Sequence, residues 1–562
     1  MYAQVAVENV NCTFDKDYDY SIPQQLEGKA LVGCRVAVPF GRGNKARIGI
    51  ITRLTDSTQG KRIKPISAVL DEAPLLSNEM LSLARWISEQ TFCTYYEAVK
   101  AMLPAGINHR IIRSFCAIPD VDKSAVDSLD ADERQVYEYL LTRSGYVKPE
   151  NFLKTLGFDI SSDIPERLFR AGFLAANDDA VRNVGDNNIR MVRLCEGADD
   201  IQMTKKQSEV VNVLKDTGSV SVRELCYFTG YTPSVISALE KKGAVECFER
   251  EELRSFVSRY AVKSAYDSGE LHLTDEQQRA YEGLVEDYRS GRGKTALLYG
   301  VTGSGKTSVY LKLIDAVLAD GRTVIVMVPE ISLTPQTLSV FHSRYGDEVA
   351  VFHSALSAGE RADEWKRVKK GDAKIVIGTR SAVFAPLENI GLIIIDEEQE
   401  HTYKSEQTPR YNAKSVARYR AAWHKGLTLL ASATPSVESF ASAKSGKYSF
   451  YELKNRFGKA VLPKVVTVDM RKEQQTGNRE LSRELIDELN KNREDGKQSI
   501  VLINRRGYNT FVSCTACGEV VTCPNCSISM TYHSANGRLM CHYCGYSEPF
   551  APDCPQCGEP FK

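Results

Sequence analysis

The stretch GVTGSGKT, residues 300–307, allows few folds. It follows the apolar run TALLY and leads into SVYLKLI, so strand, glycine loop and helix come in the order that the G-x-x-x-x-G-K-[ST] spacing requires. Gly300, Gly303 and Gly305 let backbone N–H groups turn inward around a phosphate at a helix N-terminus. Lys306 is then expected to reach the β- and γ-phosphates of ATP and Thr307 to hold Mg²⁺ through its hydroxyl, with Ser304 and Ser308 in the same nucleotide-binding segment.

The surrounding pattern is α/β. Short apolar runs, TVIVMVP, AKIVIGT, GLIIIDEE and LTLLASAT, alternate with polar helical stretches, as in a parallel sheet covered on both faces. GLIIIDEEQ ends in acids at 396–398. We assign Asp396 to the metal and Glu397 to the general base that orients or deprotonates an attacking water, and expect the acid pair and the glycine turn to grip one magnesium-bound triphosphate from adjacent strand tips. SATPS, residues 432–436, closes another strand, where small hydroxyl residues can sense the γ-phosphate. GTRSAVFAP (378–386, with Arg380) and VPEISLTPQ (328–336) fall at further strand ends, the edge where an open parallel sheet presents its ligand loops, so a second ligand is expected there. In LTDEQQRA, Gln277 has the position of an adenine-reading group.

A chain of 562 residues exceeds one hydrophobic core, and three to five domains are expected. Lysine plus arginine equal aspartate plus glutamate at 72 each, so any affinity for nucleic acid must come from local basic surfaces. No apolar run is long enough to cross a bilayer, and MYAQVAVENVNC lacks the regions of a secretion signal; a cytoplasmic protein is the expectation. Residues 1–105 read as a β-rich domain turning helical from about 78. Within 110–255, Val136, Leu140, Leu141, Phe152, Leu153, Leu156, Ile164 and Leu168 give one three-helix pattern. Val210, Val213, Leu214, Val222, Leu225, Cys226, Ile236 and Leu239 repeat it, with Thr232-Pro233 as a helix start and GAVECF as a returning strand. This is the pattern of a helix-turn-helix or winged-helix module seen twice, and such three-helix units contact DNA in some proteins and act as spacers or protein-docking surfaces in others. An ATPase lobe is expected over 265–450, a second lobe from 451 to 510 containing the strand of QSIVLINRRG, and a cysteine module over 511–562.

Eight of the fifteen cysteines lie between residues 514 and 557, spaced Cys514-x₂-Cys517-x₅-Cys523-x₂-Cys526-x₁₄-Cys541-x₂-Cys544-x₉-Cys554-x₂-Cys557. Four C-x-x-C knuckles make two four-thiolate Zn²⁺ sites, although S₄ ligation suits an iron–sulfur cluster too. The fourteen-residue loop between Cys526 and Cys541 matches a zinc ribbon. We therefore expect a nested pairing: Cys523, Cys526, Cys541 and Cys544 in one site, Cys514, Cys517, Cys554 and Cys557 in the other. His533 and His542 stand nearby, but eight thiolates already fill both shells. In HTYKSEQTPRYNAKSVARYR (401–420), rings and cations interleave, which suits single-stranded DNA: Tyr403 would stack on a base while Lys404, Arg410 and Lys414 meet phosphates.

The set LTDEQ, GVTGSGKT, VPEISLTPQ, GTRSAVFAP, IIIDEEQ, SATPS and NRRGY, followed by eight cysteines, resembles the PriA family of bacterial DNA helicases over essentially the whole chain. The resemblance implies RecA-like helicase lobes with a β-rich N-terminal DNA-binding domain, winged-helix modules and a two-zinc cysteine-rich insertion. It also implies an ATP-dependent 3′–5′ DNA helicase that recognises stalled or branched forks and initiates primosome assembly. The implied partners are forked and single-stranded DNA with 3′ ends, other primosome proteins and single-stranded DNA-binding protein. The implied protein is a monomer at the nucleoid. Carried over by position, Tyr18 and Asp19 of DYDYSIP, Gly41 of VAVPFG and Lys64 would form a pocket for the 3′ end of a nascent strand. The family usually has histidine where Gln399 stands, and glutamine cannot titrate, so altered coupling across the lobe interface is expected.

In the resembling family a second lobe resumes after the zinc module and supplies an arginine to the transferring phosphoryl. Here Arg505 and Arg506 represent that lobe and the sequence ends at Lys562, so we expect a shortened chain that binds ATP but hydrolyses it poorly. A competing expectation is a nucleotide-switched DNA-structure scaffold without unwinding activity. An RNA-directed motor is a third.

Overall fold

A computed structural model describes the chain apart from residues 42, 59, 61, 108, 120, 122, 183–187, 196, 199–200, 252–270, 459–462, 476–480, 503–511, 515, 534–535 and 562. NRRGY, with Arg505 and Arg506, lies outside the described residues. Two compact units are present, Met1–Ala460 and Val461–Lys562.

The first unit opens with strands Tyr2–Val7 (β1), Tyr18–Ser21 (β2), Arg35–Phe40 (β3), Lys45–Thr55 (β4), Lys64–Pro65 (β5) and Ala68–Val69 (β6). They form a sheet of order β5-β2-β1-β4-β3-β6. Two helices follow, Asn78–Thr91 (α1) and Tyr95–Met102 (α2). Ser77 caps the first by accepting from Met80 N–H, and Thr94 and Glu97 form a reciprocal capping box on the second.

Strands His109–Ala117 (β7) and Leu174–Arg182 (β8) pair antiparallel beside helices Lys123–Asp127 (α3), Ala131–Leu141 (α4), Pro149–Leu156 (α5) and Ile164–Arg170 (α6). Next come Asn188–Leu194 (β9), Ser219–Ser221 (β10) and Val245–Glu251 (β11), in the order β10-β9-β11, with helices Lys205–Thr217 (α7), Val222–Thr229 (α8) and Pro233–Lys241 (α9). The expected apolar positions build two separate cores. Leu141 is the exception at 44% exposure: neighbours on a helix point about 100° apart, and Leu140 already takes the inward position. Pro233 opens α9 behind Thr232, and β11 is the returning strand expected around GAVECF.

From residue 275 the chain builds a seven-stranded parallel sheet. Its strands are Thr295–Gly300 (β12), Thr323–Met327 (β13), Val349–Phe352 (β14), Ile375–Gly378 (β15), Ile390–Asp396 (β16), Leu427–Ser432 (β17) and Ser449–Leu453 (β18). Their order is β14-β15-β13-β16-β17-β12-β18, every pairing parallel. The helices are Asp275–Arg289 (α10), Lys306–Ala319 (α11), Pro335–Tyr345 (α12), Ala358–Lys370 (α13), Ala413–Trp423 (α14) and Val437–Lys444 (α15). Successive strand residues alternate between two apolar cores. Leu298, Val324 and Ile394 face α10 and α11, whereas Leu297, Ile325 and Ile393 share a core with α13, α14 and the N-terminal pair α1 and α2. The lobe boundary expected at 450 falls inside β18, which completes the sheet.

Arg420, fully buried on α14, joins α1 to this lobe. It donates to Glu79 Oε1 (2.7 Å) and Oε2 (3.0 Å) and to the Val383, Ala385 and Leu387 carbonyls. Burial opposes ionisation of Glu79, yet Arg420 and His424 outweigh it and hold the carboxyl at about 2.

The second unit contains Met470–Gln475 (α16), Arg483–Glu494 (α17) and strands Thr531–His533 (β19), Arg538–Met540 (β20) and Ser547–Pro549 (β21), paired in that order. Contrary to expectation, Ser499–Leu502 is not a strand, and Ile500 is 98% exposed. A strand of a parallel sheet needs neighbours for its backbone groups, and none pairs with this run among the described residues.

Candidate nucleotide, metal and nucleic-acid sites

The loop between β12 and α11 is shaped by residues beneath it. Gly305 lies at φ +77°, and a Cβ there would stand 2.3 Å from Gln277 Nε2, so glycine is required. Gln277 is 2% exposed; its amide donates to the Ser304 carbonyl (2.8 Å) and accepts from Thr274 N–H (2.9 Å). The expected adenine contact is corrected by this geometry, because the side chain is committed beneath the loop. Gly300, Gly303 and Ser304 form the turn, with Thr307 exposed and Ser308 half-buried at the start of α11. Lys306 Nζ donates to the Gly300 carbonyl (2.8 Å).

β17 lies between β12 and β16. The glycine loop and the acid pair therefore stand on strand tips two places apart, not on adjacent ones. Leu298, Ala431 and Asp396 form one row across the three strands, so about 10 Å separates the outer backbones. The groups still share one electrostatic environment: burial lowers the Lys306 ammonium, while Glu397 and Asp396 act in the opposite direction. Burial, reinforced by the Glu397 charge, pushes Asp396 up to about 6. Two carboxylates this close, facing one lysine, suit a divalent cation.

Glu397 sits at φ +45°, a left-handed conformation in which non-glycine residues are uncommon, and its N–H donates to Asp396 Oδ1 (3.1 Å). Gln399 Nε2 donates to Glu397 Oε2 (2.9 Å), Ser432 Oγ donates to Gln399 Oε1 (2.6 Å), and Thr434 N–H donates to Ser432 Oγ (2.9 Å). Gln399 thus links the acid pair to SATPS inside one lobe. Glu398 is fully buried and receives Lys414 Nζ (2.7 Å), Ser436 N–H (2.6 Å) and Ser439 Oγ (3.0 Å).

Lys414 is consequently a partner of Glu398, not the phosphate contact anticipated. Tyr403 is corrected too: it is 1% exposed, and its Oη lies 2.6 Å from the Asp396 carbonyl and 3.2 Å from that of Met327, so it braces the acid loop and offers no face to a base. Tyr310 is buried on α11, where burial and the nearby Asp396 charge push its hydroxyl well above the usual range. The bracing role of Tyr403 was not legible, since an aromatic inside a mixed loop carries no mark of its partner.

Beside this site, Arg380 and Lys404 line a cleft of about 500 Å³ with Glu330, His401 and Tyr411. Arg380 donates to the Thr402 and Lys404 carbonyls (3.2 and 2.7 Å), and Lys404 Nζ donates to the carbonyl of exposed Arg410 (2.6 Å). In the N-terminal sheet, Tyr18, Asp19, Gly41 and Lys64 all line one cleft of about 700 Å³. Lys64 Nζ donates to the Gly41 carbonyl (2.6 Å), Thr58 Oγ1 donates to Asp19 Oδ2 (2.6 Å), and Tyr18 packs edge-on against Phe40 at 5.0 Å. Phe40 and Arg62 line the same cleft and were not anticipated.

The cysteines gather into the nested groups expected: Cys514, Cys517, Cys554 and Cys557, and Cys523, Cys526, Cys541 and Cys544, each with its sulfurs within 4.8 Å of one another. His533 and His542 join neither group; their Nε2 atoms face each other at 3.1 Å. All four knuckles share one turn, in which the residue after the second cysteine donates its N–H to the carbonyl of the first. That residue has positive φ at Gly518, Ser527, Gly545 and Gly558. Only Ser527 carries a Cβ there, so Ser527→Gly should raise the stability of this unit by about 1 kcal/mol in denaturant unfolding of the metal-loaded chain; unchanged or lower stability would show the turn to be unstrained.

Comparison with known proteins follows the same three regions. Residues 4–104 match the 3′DNA-binding domain (3′BD) family of PriA, residues 274–442 the DEAD/DEAH box helicase family, and residues 523–549 the PriA DNA helicase Cys-rich region (CRR) domain. The chain is 38% identical to the replication restart protein PriA of Bacillus subtilis, over 99% of this chain and 68% of that protein. It is 35% identical to that of Synechocystis, over 97% of this chain and 66% of that protein. The chain thus spans about two thirds of the length of these curated relatives. With a 3′DNA-binding region, a helicase lobe and a Cys-rich region in one polypeptide, and this identity along nearly its whole length, the chain belongs to the PriA family of replication restart proteins.

Proposed function

We propose that this chain works as an ATP-dependent 3′–5′ DNA helicase at stalled or branched forks, where it initiates primosome assembly. The observation that carries this reading is the convergence of Lys306, Asp396 and Glu397 at one edge of the parallel sheet, linked by Gln399 to Ser432. Bound MgATP would supply the phosphoryl transfer that drives movement. Lys306 is positioned to neutralise phosphate charge, Thr307 and Asp396 to hold the cation, and Glu397 to orient the attacking water. Each four-cysteine group holds a structural Zn²⁺ in this reading, because a closed S₄ shell leaves no open position. The cleft of Tyr18, Asp19, Gly41 and Lys64 receives a 3′-hydroxyl end, and the cleft of Arg380 and Lys404 receives single-stranded DNA, with Arg410 on the same loop. Other primosome proteins and single-stranded DNA-binding protein are the proposed partners of a monomer acting at the nucleoid. As an isolated polypeptide, residues 1–562 bind ATP and turn it over slowly.

The test is fork binding by the chain with two leading-strand ends. A carboxylate that accepts the 3′-hydroxyl hydrogen rejects a 3′-phosphate, so affinity should fall at least tenfold on 3′-phosphorylation and become end-independent in Asp19→Asn. Lys306→Ala should leave both affinities unchanged. Equal affinity of the unmodified chain for the two forks would overturn the end-binding role.

A further inference from the structure

The cleft that holds Asp19 has a neighbour. A second cleft of about 540 Å³ opens on the other side of Asp17, which lines both. The sheet register joins them: Asp19 on β2, Gln4 on β1 and Arg53 on β4 stand opposite one another in a single row. Residues paired across antiparallel strands point to one face, and Gln4 Nε2 duly donates to Asp19 Oδ1 (3.4 Å). Two strand spacings put the Asp19 and Arg53 backbones about 10 Å apart. Beside Arg53 the register slips, leaving Thr52 as an unpaired extra residue of β4. Such bulges re-aim side chains, and Thr52 Oγ1 lies 3.1 Å from both the Gln4 carbonyl and Asp17 Oδ2. Arg85 on α1 completes the frame. Its Nη2 donates to Asp17 Oδ2 (3.1 Å), and its guanidinium lies 4.2 Å over the Tyr95 ring.

These charges decide what fits. Asp17 is answered by Arg85 and Thr52, which leaves Arg53 in excess: it is exposed, and its guanidinium has no ion pair or hydrogen bond among the described residues. Asn78 and Ser82 line the same cleft with further side-chain donors. Guanidiniums match phosphate oxygens in geometry and charge. A base finds no platform here, because the Tyr95 ring is 2% exposed beneath Arg85 and the other apolar lining residue is buried Leu81. We propose that the second cleft holds a phosphodiester of the strand whose 3′-hydroxyl occupies the first, Arg53 and Arg85 donating to its non-bridging oxygens. The proposal rests on the reading that the Asp19 cleft receives that 3′ end. At about 3.4 Å per nucleotide along a strand, about 10 Å leads to the second or third linkage from the end. A contact of this kind fixes register and reads no sequence.

The test is binding of the chain to forks whose leading strand carries a single uncharged methylphosphonate, moved one linkage at a time from its 3′ end, with that end as a 3′-hydroxyl or a 3′-phosphate. Neutralising the second or third linkage should weaken binding about fivefold, and neutralising the others should change it little. In Arg53→Gln, affinity for the normal fork should fall by a similar factor, the salt slope should drop by about one, and the sensitive linkage should become silent. Arg85→Gln combined with Asp17→Asn, which leaves no carboxylate without its partner, should silence it too. The Arg53 guanidinium has no partner to lose, so an unchanged denaturant midpoint for Arg53→Gln separates weaker binding from misfolding. A 3′-hydroxyl preference with a flat linkage profile would leave the end pocket standing and refute the phosphate site. An Arg53-dependent linkage without any end preference would do the reverse. A flat profile with no end preference would overturn both, and a sensitive linkage that persists in Arg53→Gln would refute the assignment of Arg53.

Discussion

Replacing Glu79 with glutamine is expected to destabilise the first unit by about 3–5 kcal/mol, because it leaves the Arg420 guanidinium buried without its counter-charge. Arg420 sits in the core shared by α1, α2, α13 and α14, so the loss should appear in denaturant unfolding as a lower midpoint. The double substitution Glu79→Leu with Arg420→Met should recover part of the loss, the remainder reflecting the Val383, Ala385 and Leu387 carbonyls left without a donor. The same pair gives a pH dependence of known sign. Glu79 is depressed to about 2 in the fold, against roughly 4.3 for an unperturbed glutamate. Its contribution is therefore complete above the unfolded value and is lost as pH falls toward about 2. The Glu79→Gln chain should show a shallower fall in stability over that acid window. A substitution that costs under 1 kcal/mol would mean that the ion pair does not fasten α1 to the lobe.

Metal removal should have the second large effect. Among the described residues, the buried cluster of the cysteine module consists of Cys523, Met530, Leu539 and Cys541, and so small a core cannot offset the entropy of ordering the chain. Structural zinc contributes about 10–16 kcal/mol in comparable peptide sites. A strong chelator should release two metal ions per chain and abolish amide protection in β19, β20 and β21. Retained protection after full release would show that the knuckles fold without metal.

Local features of this chain were legible because they depend on neighbours in sequence. GVTGSGKT fixes its own strand, loop and helix, and each C-x-x-C pair with a following glycine encodes its own turn. The nested pairing followed from loop length alone. Legibility ended where a side chain's role depends on what crosses it in space. The position of β17 between β12 and β16 is a property of the sheet, and no local pattern announces it. Tyr403, Lys414 and Gln277 carry the right chemistry for DNA or adenine, but packing turns them toward Asp396, Glu398 and the phosphate loop. The four residues of the 3′-end cleft are scattered from 18 to 64, and resemblance brought them together before geometry did.

The central claim is that Lys306 and Asp396 grip one magnesium-bound triphosphate. It is tested most directly by a double-mutant cycle on the binding of a fluorescent ATP analogue, with and without Mg²⁺, using Lys306→Ala, Asp396→Asn and the pair. Each single substitution should weaken binding in Mg²⁺ about tenfold or more, Asp396→Asn should abolish the gain that Mg²⁺ provides, and the two losses should be non-additive. Strictly additive losses, or an undiminished Mg²⁺ effect in Asp396→Asn, would show that the two groups hold different ligands and would contradict the nucleotide site described above.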